Sequence, residues 1–80
     1  MSRAREVVEV MARALAARPD DVRVTEGEHR GQTLVEVFMT RGELGRIIGR
    51  QGRTAAAVRT IAAAAGETEG QRVTVEFRDA

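Results

Sequence analysis

Gly45-Arg46-Ile47-Ile48-Gly49-Arg50-Gln51-Gly52-Arg53-Thr54 is the stretch on which the reading of this chain turns. Two isoleucines lead into a Gly-x-x-Gly turn, arginines sit within and around it, and an alanine-rich run from Thr54 to Ala65 follows. A two-residue connection between helices needs backbone angles open to glycine. Such a connection leaves the first N–H groups of the following helix unpaired, and these attract anions. Without side chains at Gly49 and Gly52, a sugar–phosphate backbone can lie against the turn. The bland alternative is an ordinary helix-ending glycine and a tight turn, since Gly-x-x-Gly alone is a weak signal.

Charge distribution supports an anion site. The 80-residue chain carries a net charge of only +1. Between Arg41 and Arg59, however, five arginines stand against Glu43, a local +4 that leaves −3 for the remainder. A basic segment on an acidic body is the footprint of a local anion-binding surface, although a solvated helix face produces the same pattern. All 13 basic residues are arginine. Arginine suits bidentate phosphate contact, but a GC-rich genome explains this bias more simply, along with the abundance of Ala, Gly and Val.

Working outward, Ser2 caps a helix expected from Arg3 to about Ala17. Val7, Val8, Met11 and Leu15 lie on one side of it. Pro19 ends it. Asp21 to about Glu26 alternates as a strand, and Gly27-Glu28-His29-Arg30-Gly31 reads as a polar turn. Thr33 to about Met39 is a second strand, expected to form an antiparallel hairpin with the first. Arg41-Gly42 bends the chain. Glu43 to Ile48 makes a short helix, and Gly52 opens a longer one to about Ala65, with Val58 and Ile61 as its main apolar contacts and Gly66 as its cap. A last strand, Arg72 to Arg78, turns Val73, Val75 and Phe77 inward. The order helix–strand–strand–helix–helix–strand implies an α+β fold, a three-stranded sheet with helices on one face. Eighty residues make a single domain spanning 1–80, one that buries only about 60% of its unfolded surface.

The stretch from Gly45 to Arg53, with Val58-Arg59-Thr60-Ile61 after it, resembles the core of a KH domain. The element order is that of the type II variant, and the whole chain is similar to the small single-domain bacterial KH proteins of the KhpA family. In KH domains the Gly-x-x-Gly loop clamps about four nucleotides of single-stranded RNA. The resemblance gives that role to Gly49, Arg50, Gln51 and Gly52, with Ile48 flooring the groove. The second strand and the loop from Gly66 to Gln71 would form the far wall. Charge and position add Arg46, Arg53 and Arg59 as phosphate contacts. Ala55 stands where many KH domains carry a branched aliphatic, which makes the floor shallower, and Glu67 and Glu69 sit in the loop. The resemblance further implies a homodimer, or a heterodimer with a larger KH–R3H protein, acting as an RNA regulator or chaperone linked to cell envelope growth and cell shape. The partner surface would be a patch around Leu34 and Phe38, or the alanine-rich helix.

Other chemistries find little footing. Ile47 occupies the position where either a phosphate-binding loop or a dinucleotide fingerprint requires glycine. The chain has no cysteine, one histidine (His29) and one serine (Ser2), so neither a transition-metal site nor a nucleophilic centre is expected. No cofactor, small-molecule substrate or catalysis is expected. Without cysteine or a membrane-spanning run, the expected setting is the cytoplasm, without membrane insertion. The two aromatics, Phe38 and Phe77, read as core or sheet residues, so backbone clamping should dominate over stacking. The rival reading is a protein-interaction module in which RNA is secondary.

Overall fold

The computed structural model describes residues 2–80. Helix α1 (Arg3–Leu15) is followed by strands β1 (Arg23–His29) and β2 (Gln32–Met39), helices α2 (Leu44–Ile48) and α3 (Arg53–Glu67), and strand β3 (Val73–Asp79). This is an α+β fold with the type II KH order. The sheet runs β1-β2-β3, with β1 antiparallel to β2 and β2 parallel to β3. Both β3 and its neighbour β2 lead away from the same side, so the α2–α3 unit forms the crossover between them.

Each element follows from its residues. The Ser2 hydroxyl accepts from Arg5 N–H at 3.1 Å and caps α1. The buried stripe of α1 is Ala4, Val8 and Ala12, all fully inaccessible, with Met11 and Leu15 packed beside it. Small residues answer them from α3: Ala55, Ala62 and Ala65 are buried there, so α1 and α3 can approach closely. In β2, Val35, Val37 and Met39 are buried toward the helices, while Leu34, Glu36 and Phe38 are half-buried on the open face. Val24 and Val75 flank them in the core.

Several expectations need correction. Helix α1 stops at Leu15 rather than Ala17, because the Ala17 and Arg18 N–H groups donate instead to Glu43 Oε1 at 2.6 and 3.4 Å. The polar turn is shorter than expected: Gly27 to His29 belong to β1, and only Arg30 and Gly31, with φ of 53° and 77°, reverse the chain. Two positive φ angles mark the tight hairpin turn that matches strand twist. Gly66 lies inside α3 rather than capping it. A Cβ there would stand 2.5 Å from Val73 Cγ2 and 2.9 Å from Gln71 O, so packing demands this glycine. Of the two apolar contacts expected on α3, Val58 is buried and Ile61 is 47% exposed. No helix among the described residues is long and apolar enough to cross a membrane.

Candidate nucleic-acid interface

The turn between α2 and α3 is built from two anchors and three unusual backbone conformations. Ile47 is fully buried and pins α2 into the core, whereas its neighbour Ile48 is 39% exposed beside the turn. The Gly49 N–H bonds back to Gly45 O at 2.9 Å and closes α2. Gly49 then takes φ 75°, ψ 177°, a region that only glycine occupies without strain. Its missing Cβ also matters for space: a Cβ would collide with Thr54 Oγ1 and lie 2.8 Å from Thr54 Cβ. Gln51 (φ 58°, ψ 23°) and Gly52 (φ 72°, ψ 13°) are both left-handed. Gly52 has open space around its Cα, so its requirement is conformational alone. No side chain among the described residues caps the start of α3, where a helix N-terminus carries a partial positive charge.

Arg46, Arg50, Gln51 and Arg53 are all exposed around this turn. Among the described residues the ion pairs are Arg5–Glu9, Arg13–Glu9 and Arg78–Glu36, so no carboxylate neutralises the turn. Arg53 Nη2 donates to Gln51 Oε1 at 2.8 Å and fixes the two side chains together. Arg59 stands apart. Its Nε donates to Val75 O at 3.2 Å, and its guanidinium lies 5.1 Å from the centroid of the Phe77 ring. The structure thus gathers six of the eight expected residues, Ile48 to Arg53, with Arg46 alongside, and places Arg59 further along α3 against the sheet.

The far wall also differs from expectation. β2 is paired on both sides and has no open edge, whereas β3 is an edge strand against which both α2 and α3 pack. A trough beside the turn would therefore be walled by β3 rather than by β2. Glu69 turns away from it, its Oε1 accepting from Arg3 N–H at 2.9 Å. Glu67 stays and lines a hollow with Gln71 and Arg72. Ala55 is buried beneath the helix.

Glu43 and Thr54 are site-shaping residues that motif reading passed over. Glu43 is 8% exposed and links the start of α2 to the end of α1 through the Ala17 and Arg18 N–H groups. Its one sequence signal was its isolation as the sole acid among the arginines from 41 to 59.

With this geometry in place, the comparisons with known proteins are specific. Residues 5–77 match the family model described as KhpA/KhpB, KH domain. This chain belongs to that family. A relative from Aquifex aeolicus, named RNA-binding protein KhpA, is 43% identical over 77 residues, covering 96% of this chain and 98% of the relative. One of the same name from Mycobacterium bovis is 44% identical over 74 residues, 92% of this chain and 89% of its own length. Among solved structures, Era in complex with MgGDPNP and nucleotides of 16S ribosomal RNA superposes with a TM-score of 0.65 at 23% identity. The superposition covers 95% of this chain but 29% of the Era chain, and it speaks for the KH fold alone.

Proposed function

We propose that this protein binds single-stranded RNA without catalysis, holding the sugar–phosphate backbone at the turn from Gly49 to Gly52. The observation that carries this reading is the turn itself: an α3 N-terminus without a side-chain cap, reached across two glycines and bordered by exposed arginines that pair with no carboxylate among the described residues. Family membership supports it, since relatives along nearly the full length are named RNA-binding proteins. Gly49 and Gly52 let the backbone approach, Arg46, Arg50 and Arg53 supply charge, and Ile48 gives the trough an apolar margin. The family resemblance supports a role as an RNA regulator or chaperone in the cytoplasm, connected with envelope growth.

The test replaces Arg50→Asp together with Gln51→Asp, which turns a local +1 into −2. Both side chains are exposed, and Asp tolerates the left-handed angles at position 51 better than most residues. Stability should change by about 1 kcal/mol or less, while RNA affinity is lost. Wild-type RNA binding by the folded double variant would remove the turn from the site.

A second reading, partner binding, is favoured by a specific feature. Val10 is 70% exposed and Ile61 47% exposed, and with Val7 and Met11 they line one groove on the outside of α1 and α3. Isolated large apolar side chains are unremarkable, but a contiguous set suggests a docking surface. A surface of α1 joined by Ile61 of the alanine-rich helix is therefore favoured over Leu34 and Phe38, which are half-buried, the latter under Arg23 at 5.6 Å. We assign this groove to a homodimer or to a heterodimer with a larger KH–R3H protein. Ile61→Asp should abolish self-association in sedimentation experiments and leave the melting temperature nearly unchanged; undiminished self-association would move the interface elsewhere.

A further inference from the structure

Of the four residues from Gly49 to Gly52, Gln51 alone offers an RNA chain neither charge nor the openness of a glycine. It is nevertheless left-handed, at φ 58° and ψ 23°. Among the described residues Arg30 is the only other non-glycine with positive φ, and the tight hairpin turn imposes it there. At position 51 the left-handed angles press Cβ against the following carbonyl oxygen. Glycine escapes this crowding, and Asn or Asp offsets it through a short polar side chain. The longer Gln does neither. Strained backbone of this kind persists where the surroundings enforce it, and it concentrates at ligand clamps.

A second local misfit lies two residues on. Arg53 is the first residue of α3, and the first turn of that helix holds no acidic residue. A cation there stands against the partial positive charge of the helix N-terminus, where an anion is favoured. The two misfits are joined, because Arg53 Nη2 donates to Gln51 Oε1 at 2.8 Å. Residues two apart on a regular helix do not face each other. This pair meets because the chain runs left-handed through Gln51 and Gly52. The chemistry of the holder also differs from the rest of the fold. Elsewhere carboxylates hold arginines, Glu9 for Arg5 and Arg13 and Glu36 for Arg78, and each pair cancels charge. The neutral amide oxygen of Gln51 orients Arg53 and leaves its charge intact. It occupies one N–H of the guanidinium and leaves the other donors of the planar fork for an anion.

We infer that Gln51 is a positioning residue for RNA binding: its amide oxygen holds the Arg53 guanidinium beside the turn, oriented and still charged, for a phosphate of a single-stranded chain. This rests on the RNA-binding reading above and goes beyond it by giving Gln51 a role that runs through Arg53 rather than through contact with RNA. A guanidinium already held loses less freedom when a phosphate arrives, and affinity rises by that preorganisation. The left-handed strain at Gln51 and the cation at the start of α3 then have one common reason.

The experiment titrates labelled oligouridylate with the full chain by fluorescence anisotropy over a range of salt, and records the melting temperature of each variant. Gln51→Gly removes the amide and relieves the backbone. Gln51→Asn tolerates the angles but is a methylene too short to keep the bond. Each should bind about two- to tenfold more weakly than the parent while melting no lower. Arg53→Ala should also weaken binding, and adding Gln51→Gly to it should cost nothing further, because the holder then has nothing to hold. Gln51→Glu keeps the bond and cancels the charge, so its slope of log affinity against log salt should be shallower by about 0.7, one phosphate contact. Gln51→Gly should keep the parent slope. Parent-like binding by Gln51→Gly overturns the inference, as does a parent-like slope for Gln51→Glu. So does a Gln51→Gly loss that persists in full beside Arg53→Ala, or an affinity that falls only in step with the melting temperature. The turn reading fails separately, if the Arg50→Asp, Gln51→Asp variant binds RNA like the parent. Loss in that variant with parent-like binding by Gln51→Gly leaves the turn in the site and removes only the positioning role.

Discussion

Gly49 and Gly52 look equivalent in a motif, yet they answer to different physics. Gly52 is left-handed with free space around it, so Gly52→Ala meets only the conformational penalty, about 1–2 kcal/mol. Gly49 has backbone angles that exclude other residues and Thr54 pressed against its Cα. Gly49→Ala should cost about 3 kcal/mol or more, and urea melts of the two variants will rank them. Equal losses would mean that Thr54 moves aside freely. At the same scale, Glu26 accepts from both the hydroxyl and the backbone N–H of Ser2, at 2.7 and 2.9 Å. The hydroxyl bond, then the N–H bond, holds its carboxyl below the ordinary 4.5. A depressed folded-state value stabilises the protein above the unfolded value and fades as pH falls through the folded one. Stability should therefore decline below about pH 4.5, and Glu26→Gln should flatten that part of the pH profile. An unaltered acid limb in this variant would mean that the Ser2 clasp has no part in it.

Among the elements, α3 carries the most contradictory demands. Gly66→Ala improves intrinsic helix propensity by about 1 kcal/mol, yet it drives a methyl group against Val73 and the Gln71 carbonyl. The contact should win, because one of the atoms in the way is backbone. We expect a lower melting temperature despite higher intrinsic helicity, and a rise would show that the loop from Gly66 to Gln71 yields. This position also marks the limit of what the sequence told. Periodicity locates α1 and the strands, and the glycine spacing with the alanine run locates α2, the turn and α3, because those signals are local. Gly66 reads as a cap because a contact with a strand seven residues on leaves no local trace. Ile61 reads as core because the spacing of apolar residues does not distinguish a face covered by the same chain from one left open. The close approach that the small Ala residues of α3 allow is legible from the sequence, whereas the buried Ala4 and Ala12 of α1 are not, since small size conceals their part in helix–helix approach. Charge and position make Arg59 a phosphate contact in the sequence, whereas its Val75 and Phe77 partners come from the far end of the chain.

At the scale of the whole molecule, the charge asymmetry becomes a measurable salt response. Each phosphate contact on a single strand contributes about 0.7 to the slope of log affinity against log salt. Four arginines reaching phosphate would give roughly −3, but with Arg59 committed to the sheet only Arg46, Arg50 and Arg53 remain, and the slope should lie near −2. A flat titration would remove the backbone clamp altogether. A slope near −3 would return Arg59 to the phosphates.

The parallel ladder between β2 and β3 also sets an order in time. The β1–β2 hairpin closes over Arg30 and Gly31, while the ladder joins Thr33 to Val73, and local closures precede distant ones. As the chain leaves the ribosome, α1 and the hairpin can assemble first, and the basic turn emerges before the strand that forms the trough's other side exists. Until β3 docks, the inner edge of β2 is bare and the Arg59 side chain has neither Val75 nor Phe77 to rest on. The trough is thus the last part of the molecule to be completed, and a nascent chain exposes the arginines of the turn before the strand opposite them is in place.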